Sequence, residues 1–325
     1  MLHYLPYKLQ LDPMQTTHYS VNSRPLSAFT SLDDELSIDP QKNYLFDLSY
    51  LACLDVIGAR SSEFLQGQVS CDLRDVTPHQ MRQGAMCNLK GRVLALLDVI
   101  DWHGLHLIVP NDLLNETSTS LSKTAAFSQV ALQTSNAYRV FGFLLNNPDD
   151  VIPFGITLPL ENYSVVFDDR FCCYYLGAGH YIFIVNTDNA PDIIPSFMQH
   201  GQWRGSLAWH SLQLRQHRLE IYPLSRGLFL PHRLSLQLSG YLSFNKGCYK
   251  GQEIVARTHY RATLKHEIKL FTMKSTYPLL SGLRLIKQDD ETELGELIDY
   301  CPIGESTYLI LASVIFNCPS DFKIV

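Results

Sequence analysis

The chain has no Cys-x-x-Cys pair. Its eight cysteines lie at 53, 71, 87, 172, 173, 248, 301 and 318, and this spacing argues against a zinc site or a self-contained cluster site. No Gly-x-Gly-x-x-Gly follows a strand-like run and no Gly-x-x-x-x-Gly-Lys-Ser/Thr occurs, so dinucleotide and P-loop chemistry have no support. A Gly-x-Ser-x-Gly elbow and a His-Glu-x-x-His pair are also absent. The first 30 residues hold no apolar run of signal-peptide length. The longest apolar stretches, such as 308–316, are about half what a membrane span needs. A cytoplasmic protein that does not enter membranes is expected. There is no internal repeat and no low-complexity tract.

What is present suits a globular chain of two or three domains: 325 residues, 46% apolar and 18% charged. The pattern is α+β. Residues 1–42 are polar, with Pro13, Pro25 and Pro40, and read as an extended arm or short edge strand. Residues 43–135 read as a first α+β domain, with a strand over 51–57, a helix over 59–68 ending near Gly67, a hairpin at 87–92 and a helix over 111–126 capped by Asn111 or Asp112. Residues 136–262 read as a second, with a hairpin over 171–185 and helices over 191–200 and 208–219. Four short strands within 263–325 suggest a small terminal β-barrel or sandwich.

The net charge of −6 hides an asymmetry: residues 203–269 hold eleven Lys or Arg against Glu220, Glu253 and Glu267. Two readings follow: charge solvated over several faces, or a positive wall suited to an anionic ligand or acidic partner. The acidic whole argues against general nucleic-acid binding.

Inside that segment stands the octet Lys246-Gly247-Cys248-Tyr249-Lys250-Gly251-Gln252-Glu253. It places one cysteine on a glycine-flanked turn with a lysine on each side. The following run, Ile254-Val255-Ala256-Arg257-Thr258-His259-Tyr260, continues as a helix or a strand. As a helix it would set Cys248 just ahead of an N-terminus, where unpaired N–H groups stabilise a thiolate. The other cysteines read as buried, reduced thiols. His259 and His266 flank the segment and either could assist Cys248.

The octet and its flanks resemble the YgfZ family, folate-binding proteins linked to iron–sulfur cluster assembly and repair and to tRNA modification. That family is similar in fold to the aminomethyltransferase (T-protein) of the glycine cleavage system. Supporting stretches are 64–72 (Phe-Leu-Gln-Gly-Gln-Val), the Lys-Gly-Arg hairpin in 87–94, and Phe229-Leu230-Pro231-His232. The resemblance implies three domains around a central tetrahydrofolate site. It implies Cys248 as the functional thiol, supported by Lys246, Tyr249, Lys250, Gln252, Glu253 and Arg257. It implies folate contacts at Gly247, Gly251, Asp98 and, under a shifted alignment, Glu220. No resident metal is implied, with Cys248 a transient iron or cluster ligand whose other ligands come from a partner.

The chain departs from the T-protein pattern where 91–97 carries no carboxylate before Asp98, which argues against aminomethyl transfer. The implied function is therefore an accessory role without conventional catalysis: supporting iron–sulfur clusters in client enzymes, tRNA-thiolating enzymes included, with client or assembly proteins as partners. The alternatives are a folate-dependent one-carbon transferase and a folate-sensing module with an inert Cys248.

Overall fold

The computed structural model describes residues 16–289 and 291–325; of the expected N-terminal arm, residues 1–15 lie outside them. The fold is mixed α+β and rests on three larger sheets. A five-stranded antiparallel sheet is built from Arg82–Cys87, Val93–Asp101, Leu105–Pro110, Leu51–Ile57 and Ala131–Ser135, in that spatial order. Its back is covered by the helix Asn111–Ala125, whose Leu113, Thr117, Leu121 and Ala125 are buried at four-residue spacing. Neither expected cap forms on that helix: Pro110 occupies the N-cap, Asn111 donates to the Ser49 carbonyl, and Asp112 is taken by an arginine described below.

A six-stranded sheet holds Val165–Phe167, Phe171–Gly177, His180–Asn186, Tyr138–Leu144, Tyr44–Asp47 and Trp203–Arg204. Tyr44–Asp47 thus pairs with Tyr138–Leu144 although 90 residues separate them in sequence. The two sheets enclose a buried core between them that contains Phe46, Cys53, Trp102, Ile108, Cys172, Tyr174 and Trp209.

The C-terminal strands form an open five-stranded antiparallel sheet, not a closed barrel. It runs His266–Lys274, Thr307–Ile315, Glu293–Gly304, Arg284–Lys287, Phe322–Ile324. The last short strand pairs with Arg284–Lys287 and, among the described residues, not with His266–Lys274, although the sheet curls enough for Phe322 to pack edge-on against Phe271 with ring centroids 4.9 Å apart. No helix among the described residues is long and apolar enough to cross a membrane.

Within the expected arm, Thr17–Val21 and Arg24–Ala28 form a hairpin and Leu32–Leu36 a short helix. Arg24 is 2% exposed. Its guanidinium forks onto Asp112 at 2.7 and 2.8 Å, donates to the Ile221 carbonyl at 2.8 Å and pairs with Glu220. Burial opposes its charge, but Glu220 and Asp112 outweigh that and raise its pKa. The Tyr50 hydroxyl donates to the other Glu220 oxygen at 2.5 Å. The Glu220 N–H donates to Asp299 of the C-terminal sheet at 3.0 Å, and the Tyr222 hydroxyl reaches the same carboxylate at 2.7 Å. Asn22 reaches the same C-terminal unit, its backbone N–H donating to the Tyr300 hydroxyl and its side-chain Oδ1 accepting from the Ser281 N–H.

Removing Arg24 would leave Asp112 and Glu220 recessed without their cation. The Arg24→Leu variant is expected to lose about 3 kcal/mol of stability, read as a lower urea midpoint. A midpoint within error of wild type would show that the hairpin is only an appendage.

Candidate functional site

Four stretches singled out in the sequence converge on the cysteine turn. Lys246 is buried, and its ammonium donates to the carbonyls of Gln66, Val69 and Cys71 at 2.8, 2.6 and 2.6 Å. All three of its N–H donors are therefore used on the loop 66–71. Burial lowers its pKa to about 8. The buried Tyr249 ring lies 5.1 Å from the same ammonium. The Lys250 N–H bonds the Gly67 carbonyl at 3.1 Å.

The hairpin 87–94 packs on the other side. Gly251 has φ +87°, and a Cβ there would stand 2.4 Å from the Asn88 carbonyl oxygen. Gly91 (φ +70°) faces Ile254 at a distance no side chain fits. Val93 exchanges backbone bonds with Gly227 and Phe229, so the 229–232 loop is stitched to the same hairpin. Gly251 is also the N-cap of the helix Gln252–Arg261, which settles the helix-or-strand choice. The Gln252 side chain accepts from the Tyr249 N–H at 3.1 Å and ties turn to helix.

Cys248 rides on this frame three residues before the N-cap. It is exposed, whereas the other seven cysteines are buried. Burial pushes the Cys71 and Cys87 thiols up to about 12 and raises those of Cys53, Cys172, Cys173, Cys301 and Cys318. Gly247 is exposed too, and nothing lies within 4 Å of where its Cβ would be. Glu253 and Arg257 project from the helix into solvent and Lys250 is half-buried. His259 stacks on Phe244 at 3.8 Å, and His266 lines a separate small cavity with His232. Neither is hydrogen-bonded to Cys248 among the described residues.

The basic segment does not form one wall. Lys246 is spent on carbonyls, Arg233 pairs with Glu296 and Lys269 with Glu267. Lys250 remains on the turn, Arg257 and Arg261 on the helix that follows it, and Lys90 on the adjoining hairpin turn, while Arg92 donates to the Leu228 carbonyl.

The second feature is a cavity of about 690 Å³ where the sheets meet, within the usual range for ligand sites. Tyr163, Leu176, Arg218, Gly240 and Tyr241 line it, and an inner recess adds Tyr50, Asp98, Trp209, Gln213 and Glu220. Asp98 sits opposite Gln83 in the strand pairing. Its carboxyl accepts from Gln83 Nε2 at 2.9 Å and from the Tyr174 hydroxyl at 2.7 Å, and burial raises its pKa. Both Glu220 oxygens are already committed to Arg24 and Tyr50. Arg218 donates to the Leu176 carbonyl and to Gln213 Oε1. The Gln213 Nε2 is buried with no partner among the described residues. Of the four folate positions implied by resemblance, Asp98 and Glu220 thus face this recess. Gly247 and Gly251 belong to the cysteine turn. Sequence reading missed Arg218, Gln83 and Gln213, which carry no motif.

No protein-family profile matches the chain. Among curated proteins it is similar to the tRNA-modifying protein YgfZ of Colwellia psychrerythraea, 24% identical over 83% of this chain and 85% of that one. It is 28% identical to that of Hamiltonella defensa over 68% and 67% of the two chains. The protein of the same name from Klebsiella pneumoniae is 27% identical over 78% and 77%. The chain is a homologue of the YgfZ proteins. In fold it is similar to the glycine cleavage system aminomethyltransferase T of Bartonella henselae, with a TM-score of 0.64 over 93% of this chain and 87% of that one at 12% identity. Both likenesses agree with the resemblance that the octet carries.

The buried histidines around these features set an acid limit. Burial pushes His180 and His232 down to about 4, with the Arg218 and His259 charges adding to it. Neither ring nitrogen of His232 has a partner among the described residues. Unfolded histidine titrates near about 6.5, so between about pH 6.5 and about pH 4 the unfolded chain binds more protons and stability falls as pH falls. A His180→Gln, His232→Gln double variant is expected to show a shallower loss of urea midpoint across that window. An unchanged slope would clear both residues.

Proposed function

We propose that this protein binds a reduced folate in the central cavity and uses Cys248 at the surface to support assembly or repair of iron–sulfur clusters in client enzymes, tRNA-thiolating enzymes among them. The carrying observation is the exposed Cys248 beside seven buried thiols, held on a frame that uses most of the octet. The name of its relatives supports a role connected with tRNA modification. One exposed thiol supplies one ligand, so cluster or iron is cargo shared with a client or assembly protein that completes its coordination. Lys250, Arg257 and Arg261 beside it suit an acidic partner face. A cytoplasmic setting, where thiols stay reduced, fits the eight unpaired cysteines.

The cavity residues fit a folate. The unpartnered Gln213 amide, the Asp98 carboxyl and Gln83 offer donors and acceptors to a heterocycle edge. Arg218 offers a cation to an anionic tail. A bound reduced folate would supply a carrier for one-carbon units. Three domains around this site is the arrangement that the proposal assumes.

Asp98 gives the one-carbon transferase reading a specific footing, because the carboxyl thought to come too late on its strand faces the recess. With its pKa raised, it suits a proton donor better than a base.

The test combines alkylation kinetics with cell complementation. Cys248 is expected to be alkylated far faster than the other seven thiols, and Cys248→Ala to fold normally yet fail to restore tRNA thiolation in cells lacking the gene. Full restoration by Cys248→Ala would overturn the proposal, and turnover of an aminomethyl donor would favour the transferase. Arg218→Gln should weaken tetrahydrofolate binding by about tenfold while leaving Cys248 alkylation in the unliganded protein unchanged.

A further inference from the structure

A second cluster of chemically capable side chains lies away from both features, at the rim of the interface between the five- and six-stranded sheets. Cys53 and Asp55 point to the same face of Leu51–Ile57, and His106 stands opposite Asp55 on Leu105–Pro110. Cys53 Sγ is 3.5 Å from His106 Nδ1 and 3.7 Å from Asp55 Oδ1, and His106 Nδ1 is 2.8 Å from the same oxygen. Cys53 and His106 are buried, and the Asp55 side chain is 22% exposed.

The hydrogen bonding of His106 makes this cluster informative. Its Nε2 lies 2.9 Å from the Trp102 carbonyl oxygen. A carbonyl only accepts, so Nε2 carries a hydrogen. Nδ1 then turns a lone pair towards Asp55 Oδ1 at 2.8 Å. Two acceptors this close need a cation between them. A proton can serve, with the Cys53 thiol donating to the same Asp55 oxygen, but so can a metal ion, which would take nitrogen, oxygen and sulfur together as ligands. A triangle with these edges has its centre about 2 Å from each corner, close to the usual zinc–nitrogen and zinc–oxygen lengths and slightly short for zinc–sulfur. The Trp102 carbonyl also matches the outer partner that orients a metal-ligating histidine.

We propose that Cys53, Asp55 and His106 form a binding site for a divalent transition metal of the zinc type. Asp55 opens the site towards solvent and leaves a fourth position for water. Binding sends the Cys53 thiol proton and the proton between His106 and Asp55 to solvent, about two per ion. The site is independent of Cys248 and of the folate reading, so it stands or falls separately.

The test is titration of the reduced full-length chain, stripped with chelator, with Co²⁺ and then Zn²⁺. One Co²⁺ per chain is expected, with thiolate-to-cobalt charge transfer in the near ultraviolet, tetrahedral bands in the visible, and loss of both on adding Zn²⁺. Cys248→Ser should leave this signal intact. Cys53→Ser should abolish the charge transfer, and Asp55→Asn, which keeps the shape of the side chain should Cys53→Ser not fold, should weaken binding tenfold or more. Circular dichroism of the metal-free variants controls for folding. Absence of charge transfer in Cys248→Ser, or its persistence in folded Cys53→Ser, would overturn the proposal and leave the cation as a proton.

Discussion

One buried cation holds the architecture together. Arg24 satisfies Asp112 behind the first sheet and Glu220 beside the cavity, while the Glu220 backbone reaches Asp299 in the C-terminal sheet. Charges this recessed tolerate no loose geometry, because each acid left alone would face a low-dielectric surround. The inner recess inherits that rigidity. Tyr50 and Glu220, two of its walls, are locked through the same guanidinium, so the recess has a fixed shape before anything enters it.

The cysteine turn is built on a different principle. The ion pair nearest to it, Asp72 with Arg74, leaves its arginine exposed and touches only the Asn245 carbonyl at the start of the turn. Three carbonyls converge on the Lys246 ammonium, and two glycine backbones meet where no side chain would fit. Both devices fix backbone and leave side chains free to face outward, and the outcome is a rigid loop with an unencumbered thiol. The turn and the cavity share a strip of chain. Gly240 and Tyr241 line the cavity, and Ser243, two residues on, donates its N–H to Ser70 within the loop that Lys246 grips. A ligand pressing on Tyr241 therefore acts five residues from the lysine that positions Cys248.

Much of this was legible in the sequence where function and backbone geometry coincide. The glycines of the octet and of the hairpin announce tight turns, whereas the run after the octet reads as helix or strand and only the structure makes it a helix. The stretches 64–72 and 87–94 were legible as motifs, but nothing in their spacing says that they grip the same turn. The N-terminal residues read as an extended arm or short edge strand because the burial of their hairpin hangs on a single arginine whose partners lie 88 and 196 residues away. Asp98 comes too late on its strand to match the T-protein acid but is among the folate positions that the resemblance implies, and pairing with Gln83 turns it into the recess. The expected barrel is not closed by strand pairing among the described residues, because the three-residue strand Phe322–Ile324 pairs with Arg284–Lys287 and meets His266–Lys274 only through the Phe322–Phe271 ring contact.

The contacts of Asn22 with Ser281 and Tyr300 bridge 259 and 278 residues. A chain emerging from the ribosome can form the hairpin and the first sheet early, but it cannot close this clasp until Tyr300 has left the exit tunnel. Loops this long also cost entropy before their contacts repay it, which slows the final docking step. A nascent chain that stalls before its C-terminal sheet would expose the cysteine turn with this clasp still open.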